Sequence, residues 1–225
     1  MSKTYFVTGV GRGIGAELCG LLLERGERVI GTARRPADAQ ALADRGAQIL
    51  QLDVRDSASV AAVAKQLEGV ALDVLINNAG VYDARQPLGE LTDEALRDCF
   101  EVNTLGPLRV TQALLGNLRA AETRHVFHLT SKMGSIADNT SGGAYAYRAS
   151  KAALNALNKS LSVDLAAENF IACVLHPGWV ATDMGGSGAP VAPLESATAL
   201  LGVMDGVKPG SNGRFYNFTG EELPW

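Results

Sequence analysis

The chain sets seven short apolar runs among longer stretches of helical spacing, and the runs do not alternate apolar with polar residues. They fall at 4–9, 28–33, 47–54, 72–80, 125–131, 170–178 and 213–218. Unbroken apolar runs of this length are strands covered on both faces, which is the pattern of a parallel sheet rather than of an antiparallel one with a wet side. Between them lie helical patterns. Residues 15–26 carry apolar Leu18, Leu21 and Leu22 and end on a glycine, and a second helix covers 38–45. Ser57 opens a helix with Val60, Val63, Ala64 and Leu67 on one face, and a long helical region spans 93–121, interrupted near Gly106 and Pro107. Strand and helix in turn give an α/β fold, doubly wound in three layers around a mainly parallel sheet of about seven strands. The chain of 225 residues fits one domain, 1–225.

Composition narrows the partners. A net charge of −4 argues against a nucleic-acid face, which is usually basic. No apolar stretch reaches the roughly 18 residues of a membrane span. The chain enters its first strand directly from "MSKTYFVTG", without the apolar region of a signal peptide. Cys19, Cys99 and Cys173 are odd in number and scattered, so reduced thiols and a cytoplasmic location are the expectation. His125 and His128 lie three apart on a strand and face opposite sides, so no metal site is expected.

The turn after the first strand reads "TGVGRGIG", residues 8–15. Gly9, Gly13 and Gly15, with Arg12 and Ile14 among them, allow positive φ and let the backbone approach a pyrophosphate at a helix N-terminus, the Rossmann arrangement. An NAD site commonly carries an acidic residue near the end of the second strand. Here that position offers Arg34 and Arg35 and no acid. Arg12 and Arg34 favour a ribose 2′-phosphate through charge-assisted bonds, so NADP(H) is expected over NAD(H). Asp53, ahead of Val54, ends the third strand and is either a cap or an acceptor for the adenine amino group. Asn78, Ala79 and Gly80 close the fourth strand, as a structural turn or as the floor beneath the adenosine ribose.

The stretch "YAYRASK", 145–151, holds two tyrosines and a lysine at the start of a helix. Tyr147 and Lys151 are four apart and share a helix face, whereas Tyr145 points elsewhere. A phenol with a pKa near 10 becomes usable near neutrality if an ammonium stands beside it, and one cation at about 4 Å supplies energy of the needed order, about 4 kcal/mol. Alone, such a pair is more often just two side chains at a helix edge, touching by their stems.

Taken together and in order, the TGxxxGIG turn, Asp53, "NNAG", Asn103, Ser131, YxxxK and "PGWVATDM" resemble the short-chain dehydrogenase/reductase family over nearly the whole chain. The segment "SKMGSIADNTSGGAYAYRASKAALN" and the ending "ELPW" further resemble its sniffer-like and C-factor-like carbonyl reductase branch. The resemblance implies that Tyr147 protonates the substrate oxygen and that Lys151 holds the nicotinamide ribose and lowers the tyrosine pKa. It implies that Ser131 orients the carbonyl and that Asn103 supports a water joining Lys151 to solvent. It places Pro177, Val180 and Thr182 beside the nicotinamide and the phosphates. Ser131 precedes Tyr147 by sixteen positions, longer than the commonest family spacing, and Ser135 by twelve. Ser131 is preferred because it ends a strand, where ligands sit in such sheets, and Gly142 and Gly143 can absorb the longer connection. The glycine-rich segment 185–193 is expected to cover the substrate pocket. The terminal "EELPW" docks either on the chain's own core or on a partner subunit. The implied activity is hydride transfer between NADPH and an aldehyde or ketone, in a homodimer or homotetramer. The other reading is a cofactor-binding signalling protein of C-factor type.

Overall fold

The computed structural model describes residues 2–82 and 88–225. In chain order the elements are β1 (Thr4–Thr8), α1 (Gly13–Glu24), β2 (Arg28–Ala33), α2 (Gln40–Ala43), β3 (Gln48–Gln51), α3 (Ser57–Gln66) and β4 (Val74–Asn77). Then come α4 (Asp93–Phe100), α5 (Gly106–Ala113), α6 (Leu115–Arg119), β5 (His125–Leu129), α7 (Tyr145–Asp164), β6 (Ile171–His176), α8 (Pro193–Asp205) and β7 (Phe215–Asn217). The strands form one sheet in the order β3-β2-β1-β4-β5-β6-β7. Every pairing is parallel.

Both faces of the sheet are covered, as the unbroken apolar runs require. Neighbouring strand residues point to opposite sides. Val7 and Phe127 join α1 and α8 residues such as Leu18, Leu22 and Leu200 in one core. Phe6 and Val126 join Val63, Val110 and Leu118 in the other. The chain runs outward from β1 through β2 to β3, then returns to the other side of β1 at β4. The loops leaving β1 and β4 therefore part at the C-terminal edge of the sheet, and such a divergence makes a crevice for a ligand.

The strands are shorter than the apolar runs, because the runs include the turns that follow. The expected helix at 38–45 is instead a 3₁₀ turn, Pro36–Ala39, leading into the four-residue α2. Pro36 and the Arg35–Asp38 ion pair hold that turn. The expected long helix breaks into α4, a wide π turn at Glu101–Leu105, α5 and α6. Pro107 explains the wide turn: it has no N–H for the Asn103 carbonyl four residues back, and its ring presses on that carbonyl. Gly106 N–H instead reaches five residues back to Glu101 O. The tail docks on the chain's own core. Leu223 joins Val174 and Phe215, and the Trp225 ring lies 5.7 Å from that of Phe215. Among the described residues no helix is long and apolar enough to cross a membrane.

Two buried histidines tie the fold to pH. Burial pushes His128 down to about 3 and His176 to about 4, with the Lys132 charge adding to the latter. Their unfolded pKa is about 6.5. Below that value the unfolded chain binds more protons than the folded one, so stability falls with pH. The slope is about 1.4 kcal/mol per histidine per pH unit until the folded pKa is reached. Urea midpoints measured from pH 7 down to 5 are expected to fall with this slope, and a flat profile would contradict the buried neutral rings.

Candidate active site

The glycine turn is fixed by its neighbours. Thr8 Oγ1 accepts from the N–H groups of Asn78 and Ala79, both at 3.0 Å. Asn78 Nδ2 donates to the carbonyls of Thr8 (2.8 Å) and Gly9 (2.9 Å). The Asn78 carboxamide thus shapes the turn. Gly9 has φ 74° and Gly13 φ 59°. A Cβ on Gly15 would fall on the Gly9 carbonyl oxygen and on Asn78 Nδ2. A Cβ on Gly9 would lie 3.0 Å from Ala79 Cα. Only bare backbone fits here.

The N-terminus of α1 suits an anion. The helix starts at Gly13 with no side-chain cap and no acidic residue in its first turn, whereas α3 is capped by Asp56 and α4 by Thr92 with two acids behind it. Its first N–H groups and positive dipole end are therefore left for a ligand. Arg34 at the end of β2 is exposed and makes no ion pair among the described residues, while Arg35 is bound to Asp38. Arg12, expected at the same phosphate, pairs with Asp183 at 2.9 Å across the crevice. Asp53 is gripped by Arg55, which donates from Nε to Oδ1 (3.1 Å) and from Nη2 to Oδ2 (2.7 Å). That fork lowers the Asp53 pKa. Val54 is buried against the position a Cβ would take on Gly106.

The segment after β6 folds over the glycine turn. Val180 bridges to Val191, and Trp179 Nε1 donates to Gly185 O at 2.8 Å. Thr182 Cγ2 lies 3.2 Å from where a Cβ on Gly13 would be. The Pro177 carbonyl accepts from Ser196 Oγ at 2.6 Å.

At the C-terminal edge of β5 the Ser131 side chain stands close enough to that of Tyr147 to lower its pKa. Ser131 is also positioned by its own turn, accepting from Met133 N–H at 3.1 Å. Ser135 points elsewhere: its hydroxyl donates to Trp225 O and accepts from Asp138 N–H, both at 3.1 Å. The extra residues between Ser131 and Tyr147 are taken up by three successive left-handed residues, Gly142, Gly143 and Ala144, with φ of 64°, 67° and 46°. Ala144 carries a Cβ in that region, a strain of about 1–2 kcal/mol. Arg148 holds the loop by donating to Gly142 O, Gly143 O, Met133 O and Ser141 Oγ.

Lys151 is buried one turn beyond Tyr147, and its ammonium donates to Leu129 O at 2.7 Å. It stands 5.9 Å from the Tyr147 ring centroid. The expected depression of the tyrosine pKa is not seen in this arrangement. Burial pushes Tyr147 up to about 12, against a lowering by the Ser131 side chain. Burial likewise brings Lys151 down to about 8. The ammonium faces a backbone carbonyl rather than the phenol oxygen, so desolvation outweighs it.

Asn103 sits in the π turn, fully buried. Its Nδ2 donates to Val81 O (2.9 Å) and Ser150 Oγ (3.1 Å), and its Oδ1 accepts from Val81 N–H (2.9 Å). Ser150 in turn donates to the Tyr147 carbonyl at 2.8 Å. A Cβ on Gly80 would meet Asn103 Oδ1 at 3.3 Å and Lys151 Nζ at 3.7 Å. One asparagine thus links the turn after β4 to α7.

Three neighbours are absent from the sequence motifs. Tyr82 packs on Tyr147, and the Cys99 thiol is close enough to act electrostatically on Tyr147 and Lys151. His128 accepts at Nδ1 from Asn77 Nδ2 (3.1 Å) if its other nitrogen carries the proton, and it feels the Lys151 charge. Tyr82 had a visible signal, since it lies two residues beyond "NNAG"; the other two did not. Among the described residues no three His, Cys, Asp or Glu side chains gather as a metal site. A groove of about 560 Å³ between α1, α2 and the start of α8 contains none of the cofactor or catalytic residues expected from the sequence.

Known proteins carry the same layout. The carbonyl reductase Sniffer of D. melanogaster superposes over the full length of both chains with a TM-score of 0.94 at 33% identity. An NADPH-bound carbonyl reductase from chicken fatty liver superposes over 100% of this chain and 99% of its own, with a TM-score of 0.92 at 32% identity. The C-signal of Myxococcus xanthus is 51% identical over 154 residues, which is 68% of this chain and 93% of that protein. The family model described as short chain dehydrogenase matches residues 3–190, from the first strand through the segment that closes over the glycine turn, and the chain belongs to that family.

Proposed function

We propose that the protein is an NADPH-dependent carbonyl reductase, transferring hydride between NADPH and an aldehyde or ketone. The observation that carries this reading is the buried Ser131, Tyr147 and Lys151 brought together, with Ser131 acting on the Tyr147 phenol and Lys151 one turn along the helix. NADPH, when bound, supplies the hydride. The α1 N-terminus with Gly9, Gly13, Ile14 and Gly15 receives the pyrophosphate, and Thr182 and Val180 close over it. Pro177 shapes the approach to the nicotinamide. Arg34 meets the 2′-phosphate. Arg12 joins it by leaving Asp183, since an exposed ion pair is worth only about 0–1 kcal/mol. Asp53 and Val54 border the adenine, and Ala79 and Gly80 the ribose.

Ser131 donates a hydrogen bond to the substrate carbonyl, and Tyr147 transfers its phenolic proton to the oxygen as negative charge develops there. A tyrosine held near 12 is fully protonated at neutral pH, as a proton donor must be. Lys151 binds the ribose hydroxyls and steadies the phenolate left behind. The Asn103 side chain is fully engaged, so any water relay from Lys151 uses the backbone carbonyl that Pro107 leaves without its usual donor. The C-signal likeness suggests a signalling role, but a sensor needs the glycine turn and no buried proton donor, so the structure favours turnover. We read residues 1–225 as one cofactor-binding domain with the substrate pocket built into it. Three cysteines outside any disulfide suit a reducing, cytoplasmic setting, and a homodimer or homotetramer is the expected assembly.

The test is to mix the purified protein with NADPH and a panel of aldehydes and ketones and follow loss of the reduced cofactor. Turnover is expected with NADPH. Arg34→Glu is expected to weaken NADPH by roughly 10- to 100-fold, the worth of one hydrogen bond to a charged group, while sparing NADH. Tight NADPH binding without oxidation by any carbonyl would overturn the enzyme reading.

A further inference from the structure

Tyr82 lies two residues beyond Gly80, at the C-terminal edge of β4. Its ring stands edge-on to that of Tyr147, with centroids 4.8 Å apart and planes at 85°. The two rings differ in exposure: Tyr147 is 8% exposed and Tyr82 38%. Tyr82 is therefore the ring that faces open space, and Tyr147 the one it shields. The backbone carrying Tyr82 is held firmly, because the Asn103 carboxamide grips both the N–H and the C=O of Val81 at 2.9 Å. The same asparagine is linked through Ser150 to the Tyr147 carbonyl, so the two rings are set by one network.

Three further described residues stand near Tyr147. Ser131 meets its side chain from the end of β5. Lys151 lies one turn along its own helix. Cys99 stands on α4, within electrostatic reach. The side of Tyr147 next to Tyr82 is where a substituent of a carbonyl substrate would meet protein, because Ser131 and Tyr147 fix the carbonyl oxygen.

We propose that Tyr82 is a positioning and specificity-determining residue: its ring limits the bulk of the substrate beside the Ser131–Tyr147 pair and keeps the Tyr147 phenol dry. This rests on the carbonyl reductase reading for the substrate, and on geometry alone for the shielding. Burial is the leading cause of the raised Tyr147 pKa, and Tyr82 contributes in the same direction. Opening that side admits water, which lowers the pKa.

The experiment compares Tyr82→Ala and Tyr82→Phe with the native protein. In NADPH-dependent reduction, Tyr82→Ala raises kcat/KM for naphthaldehyde relative to propanal by roughly tenfold or more, the scale of shape discrimination in an apolar pocket. Tyr82→Phe keeps the native ratio. A ratio unchanged in the alanine variant, or shifted as far by phenylalanine, overturns the specificity role. Tyrosinate absorbance, read as the difference from the matching Tyr147→Phe protein, tests the shielding without turnover. Tyr82→Ala brings the Tyr147 ionisation down toward the ordinary value of about 10; an unmoved titration overturns it. If the native protein reduces no carbonyl, the proposed activity fails while this titration still decides the shielding.

Discussion

Tyr147→Phe lowers NADPH-dependent carbonyl reduction by roughly 10²- to 10⁴-fold, the usual worth of a positioned proton donor, and leaves NADPH binding nearly unchanged. The substitution removes one oxygen and little else. The ring keeps its edge-on contact with Tyr82, and its backbone carbonyl still accepts from Ser150. Lys151 stays anchored, because its ammonium bonds the Leu129 carbonyl and not the phenol. What is lost is the proton that the substrate oxygen receives and the partner of the Ser131 hydroxyl. Single-turnover rates with saturating NADPH read the chemical step, and quenching or enhancement of cofactor fluorescence reads binding. A variant that keeps most of the native rate would show that the proton comes from another group or from water. A variant that loses cofactor binding along with turnover would show that the phenol serves the cofactor rather than the substrate.

The layers of the fold were open to sequence reading because each depends on a local pattern. Unbroken apolar runs require two covered faces, and the glycine turn requires bare backbone; both are properties of a few adjacent residues. The strand order is not local; the interlock of the turns after β1 and β4 through Thr8 and Asn78 accounts only for β4 lying beside β1. The π turn was half legible. Gly106 and Pro107 marked an interruption, but its form depends on the proline acting on Asn103, and its purpose on a Val81 backbone that is distant in sequence. Distance in sequence also hid the fate of charges. Spacing alone put Lys151 near Tyr147, but not the Leu129 carbonyl that turns the ammonium away from the phenol, nor the burial that raises one pKa and lowers the other. Arg12 and Asp53 were read as cofactor ligands from position; their partners Asp183 and Arg55 are matters of side-chain reach.

Ser131→Ala lowers turnover by roughly 10²- to 10³-fold, the cost of losing one hydrogen-bond donor to a developing oxyanion, whereas Ser135→Ala leaves most of it. Either serine could have served by count, and the shorter spacing favours Ser135. The structure separates them by what each hydroxyl touches. Ser131 reaches the Tyr147 side chain, while Ser135 spends its hydroxyl on the Trp225 carbonyl and the Asp138 amide. Losing Ser135 therefore loosens the docked tail and its loop at about 1 kcal/mol per hydrogen bond, which is read as a lower denaturation midpoint with kcat/KM nearly intact. Losing Ser131 leaves the fold stable and the rate low. The two measurements move in opposite patterns in the two variants, so a general disturbance of the loop cannot imitate the result. A Ser135→Ala protein that is stable and inactive, beside an active Ser131→Ala protein, would reverse the assignment. It would mean that the Gly142–Gly143–Ala144 turn rearranges when substrate binds, bringing the nearer serine to the phenol.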